Sequence, residues 1–260
     1  MDNIFDQIKN DPRRNLAESL LMLADSGLIL SQRQSEWTGH GPVLEQDIAI
    51  TNINLDLLGQ SRLLYQYVAG IISGITGSTE TEDTLAYLRT ERNFRNFLIC
   101  ELPNGDWGQT VLRLYLFSVY AKEIVSALAE HEDETIRGIS VKSLKEIAYH
   151  VKWSSEWVIR LGDGTEESHT RMENAIHALW PYTGEFFMAE PYEVSLELNY
   201  EELRQKWMTQ VETVLQEATL AIPAQVFMQT GGKKGIHTEH LGYMLAEMQY
   251  LQRTYPGAEW

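Results

Sequence analysis

Two stretches of this 260-residue chain have the spacing of a metal-binding pair without its full chemistry. In helical bundles that hold two metal ions between carboxylates, each of two helices carries Glu-x-x-His, because residues three apart share a helical face and reach the same ion. Around His150 the run is Lys145-Glu146-Ile147-Ala148-Tyr149-His150, so the position three before the histidine is an isoleucine, which has no donor atom. Its counterpart is Leu57-Leu58-Gly59-Gln60, with leucine and glutamine where an acid and an imidazole would be needed. Three motif ligands are thus missing, at Leu57, Gln60 and Ile147, and His150 alone remains. A second donor set is also spaced for one metal: Asp56 with Gln60, and Glu146 with His150, are four apart. Asp56 and Glu146 lie roughly 100° around a 3.6-residue helix from Leu57 and Ile147, so using them requires both helices to rotate. The preferred reading of His150 is a core histidine hydrogen-bonded to a neighbour such as Gln60 or a tyrosine. No residue is assigned a catalytic or metal-ligating role.

A different chemistry is possible in Thr230-Gly231-Gly232-Lys233-Lys234-Gly235, where glycines allow close backbone approach and Lys233 and Lys234 supply positive charge. Two readings stand side by side. In one, the loop meets the phosphates of a coenzyme A group or a partner chain, together with His237 and His240; in the other it is a solvated turn. His237 and His240 are three apart and would suit a metal, but no third ligand accompanies them. Cys100, in the apolar run Phe97-Leu98-Ile99-Cys100, reads as a small core residue. The tryptophans at 37, 153, 157, 180 and 207 read as core or interface anchors.

The elements that position these residues follow from apolar periodicity and its punctuation. Asp11-Pro12 opens a helix to about Trp37, and Pro42 opens a second to about Ile72 after the break at Gly39-His40-Gly41. Thr79-Glu80-Thr81-Glu82 has capping-box spacing before a shorter, charged helix through Phe94, Phe97 and Leu98. The turn Pro103-Asn104-Gly105-Asp106 leads to a largely apolar helix ending near Leu128. The helix bearing His150 follows and stops at Gly162-Asp163-Gly164. Thr165 caps another to Trp180, Asn199 begins one running toward Pro223, and the last spans about Thr238 to Arg253. No strand is evident. The expected architecture is all-α: a single ferritin-like four-helix bundle over residues 1–260 with additional C-terminal helices, its core made of two helical hairpins joined by a crossover, and residues 1–11 a flexible extension.

Several blocks carry a resemblance. Gly27-Leu28-Ile29-Leu30-Ser31-Gln32-Arg33, Leu55-Asp56-Leu57-Leu58-Gly59-Gln60, Lys145-Glu146-x-x-Tyr149-His150, and above all the run from Thr230 through His237-Thr238-Glu239-His240-Leu241-Gly242 to Arg253, resemble the C subunits of bacterial phenylacetyl-CoA 1,2-epoxidases. The similarity covers almost the whole chain from about Leu16. It implies a ferritin-like, non-catalytic structural subunit of phenylacetate catabolism whose own ligand positions have lapsed, in agreement with Leu57, Gln60 and Ile147. It further implies a homologous di-iron catalytic subunit as partner, other members of the complex including a reductase, iron in the partner with no cofactor in this chain, and a homodimer as one state of the isolated chain. The alternative, from a different class, is a free-standing ferritin-like di-metal oxidase or oxygenase using Asp56, Glu146 and His150. A binding scaffold without an oxygenase partner is a third.

Composition bounds these readings. A net charge of −16 disfavours nucleic acid and anionic membrane surfaces as partners. The single cysteine leaves no internal disulfide to form, which fits a reducing compartment. The start lacks the basic-then-apolar order of a signal peptide, and no run is long and apolar enough to span a bilayer; the expectation is a cytoplasmic protein.

Overall fold

Four long helices account for most of the core because each presents an apolar stripe that only another helix can cover. The computed structural model describes residues 4–258 and contains no β-strand among them. The first hairpin is α1 (Arg14–Ser35) with α2 (Leu44–Thr76), the second α3 (Trp107–Leu128) with α4 (Glu134–Gly162). α2 packs across onto α4, closing an all-α, ferritin-like four-helix bundle. Further helices α5 (Glu166–Leu179), α6 (Tyr200–Glu217) and α7 (Glu239–Met248) are added along the chain, α5 and α6 both against the second hairpin. No helix is long and apolar enough to cross a membrane.

The starts of these helices are set by side chains that take up otherwise orphaned N–H groups. Asp106 accepts from the Gln109 N–H at the start of α3, Asp133 from Thr135 and Ile136 at the start of α4, and Asn199 from Glu202 at the start of α6. Thr165 and Ser168 cap α5 reciprocally. Gly77, at φ 73°, terminates α2 in the left-handed region that glycine adopts without strain. Inside the first hairpin Gly27 permits contact: a Cβ there would collide with Ser61 Oγ on α2.

Three sequence expectations need correction. Pro42 lies ahead of α2 rather than at its first turn, since the helix begins at Leu44 with Val43 extended. The segment after Thr81 is not one helix. It forms a turn of helix at Glu82–Tyr87, a 3-10 turn at Glu91–Asn93, extended residues, and a further turn at Leu98–Glu101. The cause lies in two arginines that are held inside by acids of α1. Arg89 meets Asp25 and Arg95 meets Glu18, all buried, and the Arg95 N–H also donates to Asp25 at 2.8 Å. Finally, residues 4–11 are docked: Phe5 and Ile8 are fully buried and the Arg95 guanidinium lies over the Phe5 ring. Residues 1–3 of the expected extension lie outside the described residues.

Tryptophans tie one end of the bundle together. Trp37, Trp153 and Trp157 all meet Trp107 edge-on, and the indole N–H groups of Trp153 and Trp157 both donate to the Gln46 side-chain oxygen, at 3.1 and 2.9 Å. Trp180 and Trp207 pack against each other in a second aromatic cluster. These rings are used in holding the helices in register.

Candidate functional site

α2 and α4 run antiparallel, and two hydrogen bonds fix their register. His150 Nε2 meets Asp56 Oδ2 at 3.1 Å, and Gln60 Nε2 donates to Glu146 Oε2 at 2.8 Å, so residues one turn apart on α2 find partners one turn apart on α4. The structure therefore brings Asp56, Gln60, Glu146 and His150 together, as two separate rungs of a ladder. The partner of His150 is Asp56, not Gln60 or a tyrosine, because the offset of the helices puts Gln60 opposite Glu146. The imidazole is buried while the Asp56 carboxylate is about one third exposed. Burial pushes the His150 pKa below its ordinary value, against the opposing pull of the Asp56 hydrogen bond and the Asp56 and Glu146 charges.

Leu57 and Ile147, the vacant motif positions, are buried and point to the bundle centre. They line, with Gln60, an apolar cavity of about 60 Å³ walled further by Leu64, Phe117 and Ile124. A pair of metal ions needs four or more oxygen and nitrogen donors converging on one space. The bundle centre supplies aliphatic carbon there instead, and no group of three or more His, Cys, Asp or Glu among the described residues is placed to hold an ion. The residues present do not fit a di-iron centre.

The glycine-lysine loop is built differently from either expectation. Lys233 is not a solvent-facing charge: its side chain is 2% exposed and its Nζ stands 2.7 Å from Glu193 Oε2. Gly232 makes this possible, since a Cβ at that position would collide with the Asn96 carbonyl oxygen. Around it, Glu185 accepts the N–H groups of Leu98 and Gly231, both at 2.8 Å. Burial raises the Glu185 carboxyl above its usual range, with those hydrogen bonds opposing it. His237 is likewise inside, its Nδ1 2.9 Å from Glu101 Oε2 and its Nε2 3.1 Å from the Phe94 carbonyl oxygen. Both ring nitrogens are thus committed to oxygen acceptors, which leaves His237 unable to pair with His240 on a metal. Lys234 is more than half exposed and stands 3.3 Å from Glu190, and His240, six residues on, is partly exposed. Of the four loop residues singled out in the sequence, only these two face outward. Cys100 is fully buried, and that burial pushes its thiol pKa up, as expected of a core residue.

The acids that hold this loop, Glu101, Glu185 and Glu193, were not legible as a group in the sequence. A signal was present in Gly184-Glu185-Phe186-Phe187, where a lone carboxylate sits against aromatics, and in Arg92-Asn93-Phe94-Arg95-Asn96-Phe97, where arginines alternate with rings. Charges that interrupt an apolar run on both sides must be paired if they are buried.

With this geometry in place, comparison with known proteins is decisive. The model of the family described as phenylacetic acid catabolic protein matches residues 3–260. The chain belongs to this family. A relative from Escherichia coli (strain K12), the C subunit of 1,2-phenylacetyl-CoA epoxidase, is 44% identical over 245 residues, covering 92% of this chain and 97% of that one. The resemblance read in the sequence motifs is thereby borne out, and the ferritin-like bundle agrees with membership of the family.

Proposed function

We propose that this chain is the non-catalytic C-type subunit of a phenylacetyl-CoA 1,2-epoxidase in aerobic phenylacetate catabolism, supporting a homologous subunit in which the metal site and the oxygen chemistry reside. The observation that carries this reading is the bundle centre. Leu57 and Ile147 stand where carboxylates would bridge ions, their side chains have no donor atoms, and the one surviving imidazole is bound to Asp56. The name of the E. coli relative supports it independently. The competing assignment, a free-standing di-metal enzyme using Asp56, Glu146 and His150, asks two separate hydrogen-bonded rungs to break in favour of an ion, although no group of three or more His, Cys, Asp or Glu among the described residues is placed to hold one. Partners in this reading are the catalytic subunit and an electron-donating reductase, and this chain itself needs no cofactor.

The test is metal analysis and oxygen uptake on the purified chain expressed alone in iron-replete medium, then on the chain co-expressed with the catalytic subunit. The expectation is substoichiometric iron and no reductant-dependent oxygen consumption alone, and epoxidation of phenylacetyl-CoA by the pair when a reductase is supplied. Near-stoichiometric iron with oxygen consumption by the single chain would overturn it.

A further inference from the structure

The bundle centre, where aliphatic side chains stand in place of metal donors, is hollow rather than filled. The cavity that Leu57 and Ile147 face is lined from all four long helices. It reaches from Phe117 to Leu128 on α3, about 16 Å at 1.5 Å per residue, and from Ile147 back to Ile136 on α4. Protein interiors hold few voids larger than one water, so a space of about 60 Å³ at the middle of a core needs an account.

The walls decide between water and an apolar guest. A buried water takes about two to four hydrogen bonds from its surroundings. Two polar side chains of the wall are already committed: the Gln60 amide donates to Glu146, and the Ser143 hydroxyl donates to the Ile139 carbonyl oxygen at 2.9 Å. Two more are closed off. Ser61 Oγ is buried against the Gly27 backbone. Tyr120 stacks its ring on Phe186, and its hydroxyl is buried within reach of the Glu193 and Tyr200 charges. Among the described residues this leaves Ser140 as the one hydroxyl available to a guest, against walls of leucine, isoleucine, valine and phenylalanine. A cavity of that chemistry stays dry.

Size then selects the guest. About 60 Å³ is roughly twice the share of liquid volume of one water and well below the roughly 150 Å³ at which an apolar cavity admits benzene. A phenyl ring is too large, whereas a diatomic gas or a noble-gas atom fits. Leu64, Val125 and Ile139 on the wall are only half-buried, so side-chain motion at any of them opens a short way in.

We infer that the bundle centre is a dry binding site for one or two non-polar molecules of the size of dioxygen, held by dispersion contacts. Nothing in this depends on which complex the chain joins: cavity size and wall chemistry alone choose the guest.

The experiment follows methyl resonances of the purified full chain under dioxygen, whose paramagnetism speeds the relaxation of nearby methyl groups, and under xenon, which shifts them. Leu57, Ile124 and Ile147 are expected to respond saturably to xenon. Their relaxation enhancement by dioxygen should exceed at least fivefold that of Leu215 and Leu241, which are as buried but lie on α6 and α7. Ala121→Leu adds bulk at the wall and is expected to reduce both responses at least fivefold. Ser140→Val is a second filling variant, and melting temperature is recorded for each. Ile147→Ala enlarges the space toward that of a benzene-binding cavity and is expected to gain saturable benzene binding that wild type lacks. Wild-type methyls that respond to neither gas, responses left unchanged in both filling variants, or long-lived water detected at these methyls by cross-relaxation would each overturn the site.

Discussion

Alanine at Lys233 should destabilise the fold by about 3 kcal/mol, while alanine at the adjacent Lys234 should cost no more than about 0.5 kcal/mol. The difference follows from burial. The Lys233 ammonium and the Glu193 carboxylate are 2% and 0% exposed and 2.7 Å apart, and Lys233 also lies near the faces of Phe97 and Tyr200. Removing one member of a buried ion pair typically costs about 3–5 kcal/mol, because the other charge is stranded. Here Glu193 would keep the Tyr200 hydroxyl and the Glu190 N–H, both at 2.6 Å, which argues for the lower end. For a chain of this size roughly 3 kcal/mol corresponds to a drop of about 6–12 °C in melting temperature. Thermal and urea unfolding of the two single variants supply the comparison. A third variant, Lys233→Met with Glu193→Gln, removes both charges while keeping an oxygen for Tyr200 and Glu190, and should regain at least half of the loss. Equal, small effects at Lys233 and Lys234 would refute the claim that the loop is held by a buried pair.

Gly232→Ala should loosen the same region from the backbone side, because its Cβ meets the Asn96 carbonyl oxygen; faster proteolytic cleavage after residue 230 than in wild type is the expected readout. Stability should also depend on His150 as pH falls. Its folded pKa lies below the ordinary 6.5, so below about pH 6.5 the unfolded chain takes up a proton that the folded chain refuses, and stability is lost on the way down. His150→Gln should therefore lose less stability than wild type between about pH 7 and pH 5 in urea midpoints. Glu185 has the opposite sign: its raised carboxyl makes stability fall as pH rises above the ordinary 4.5, and Glu185→Gln should flatten that limb. The combined change Leu57→Glu, Gln60→His and Ile147→Glu places donors around the central cavity at a cost of several kcal/mol without metal. Added ferrous iron should raise the melting temperature of that variant and leave wild type unmoved.

The long helices were legible because each repeats apolar residues at helical spacing and is punctuated by proline, glycine or a capping side chain, as at Asp106, Thr165 and Gly77. The facing of α2 and α4 was legible too, from the paired motif positions Leu57-x-x-Gln60 and Ile147-x-x-His150. Two things were not. The segment from Arg89 to Glu101 reads as helix locally, and only Asp25 and Glu18, more than sixty residues away, hold its arginines inside in a non-helical path. Lys233 and Lys234 are identical neighbours in the sequence, yet the buried Glu193 lies beside one while the other reaches Glu190 from solvent. Which lysine is buried depends on the tertiary position of a single carboxylate, and no local pattern encodes that.

The embedded loop has a consequence for biosynthesis. Glu101, Glu185 and Glu193 are made well before some of the groups that satisfy them, His237 and the Thr238 N–H for the first, the Gly231 N–H for the second, the Lys233 ammonium for the third. On the ribosome the two helical hairpins can form early from neighbouring sequence, but three interior carboxylates must then remain partly hydrated until their last partners arrive. Closure waits for residues 231–238 to leave the exit tunnel and thread in from outside, across a separation of 136 residues in the case of Glu101 and His237. A nascent chain that has not yet supplied residues 231–238 therefore holds three interior carboxylates with part of their partners missing.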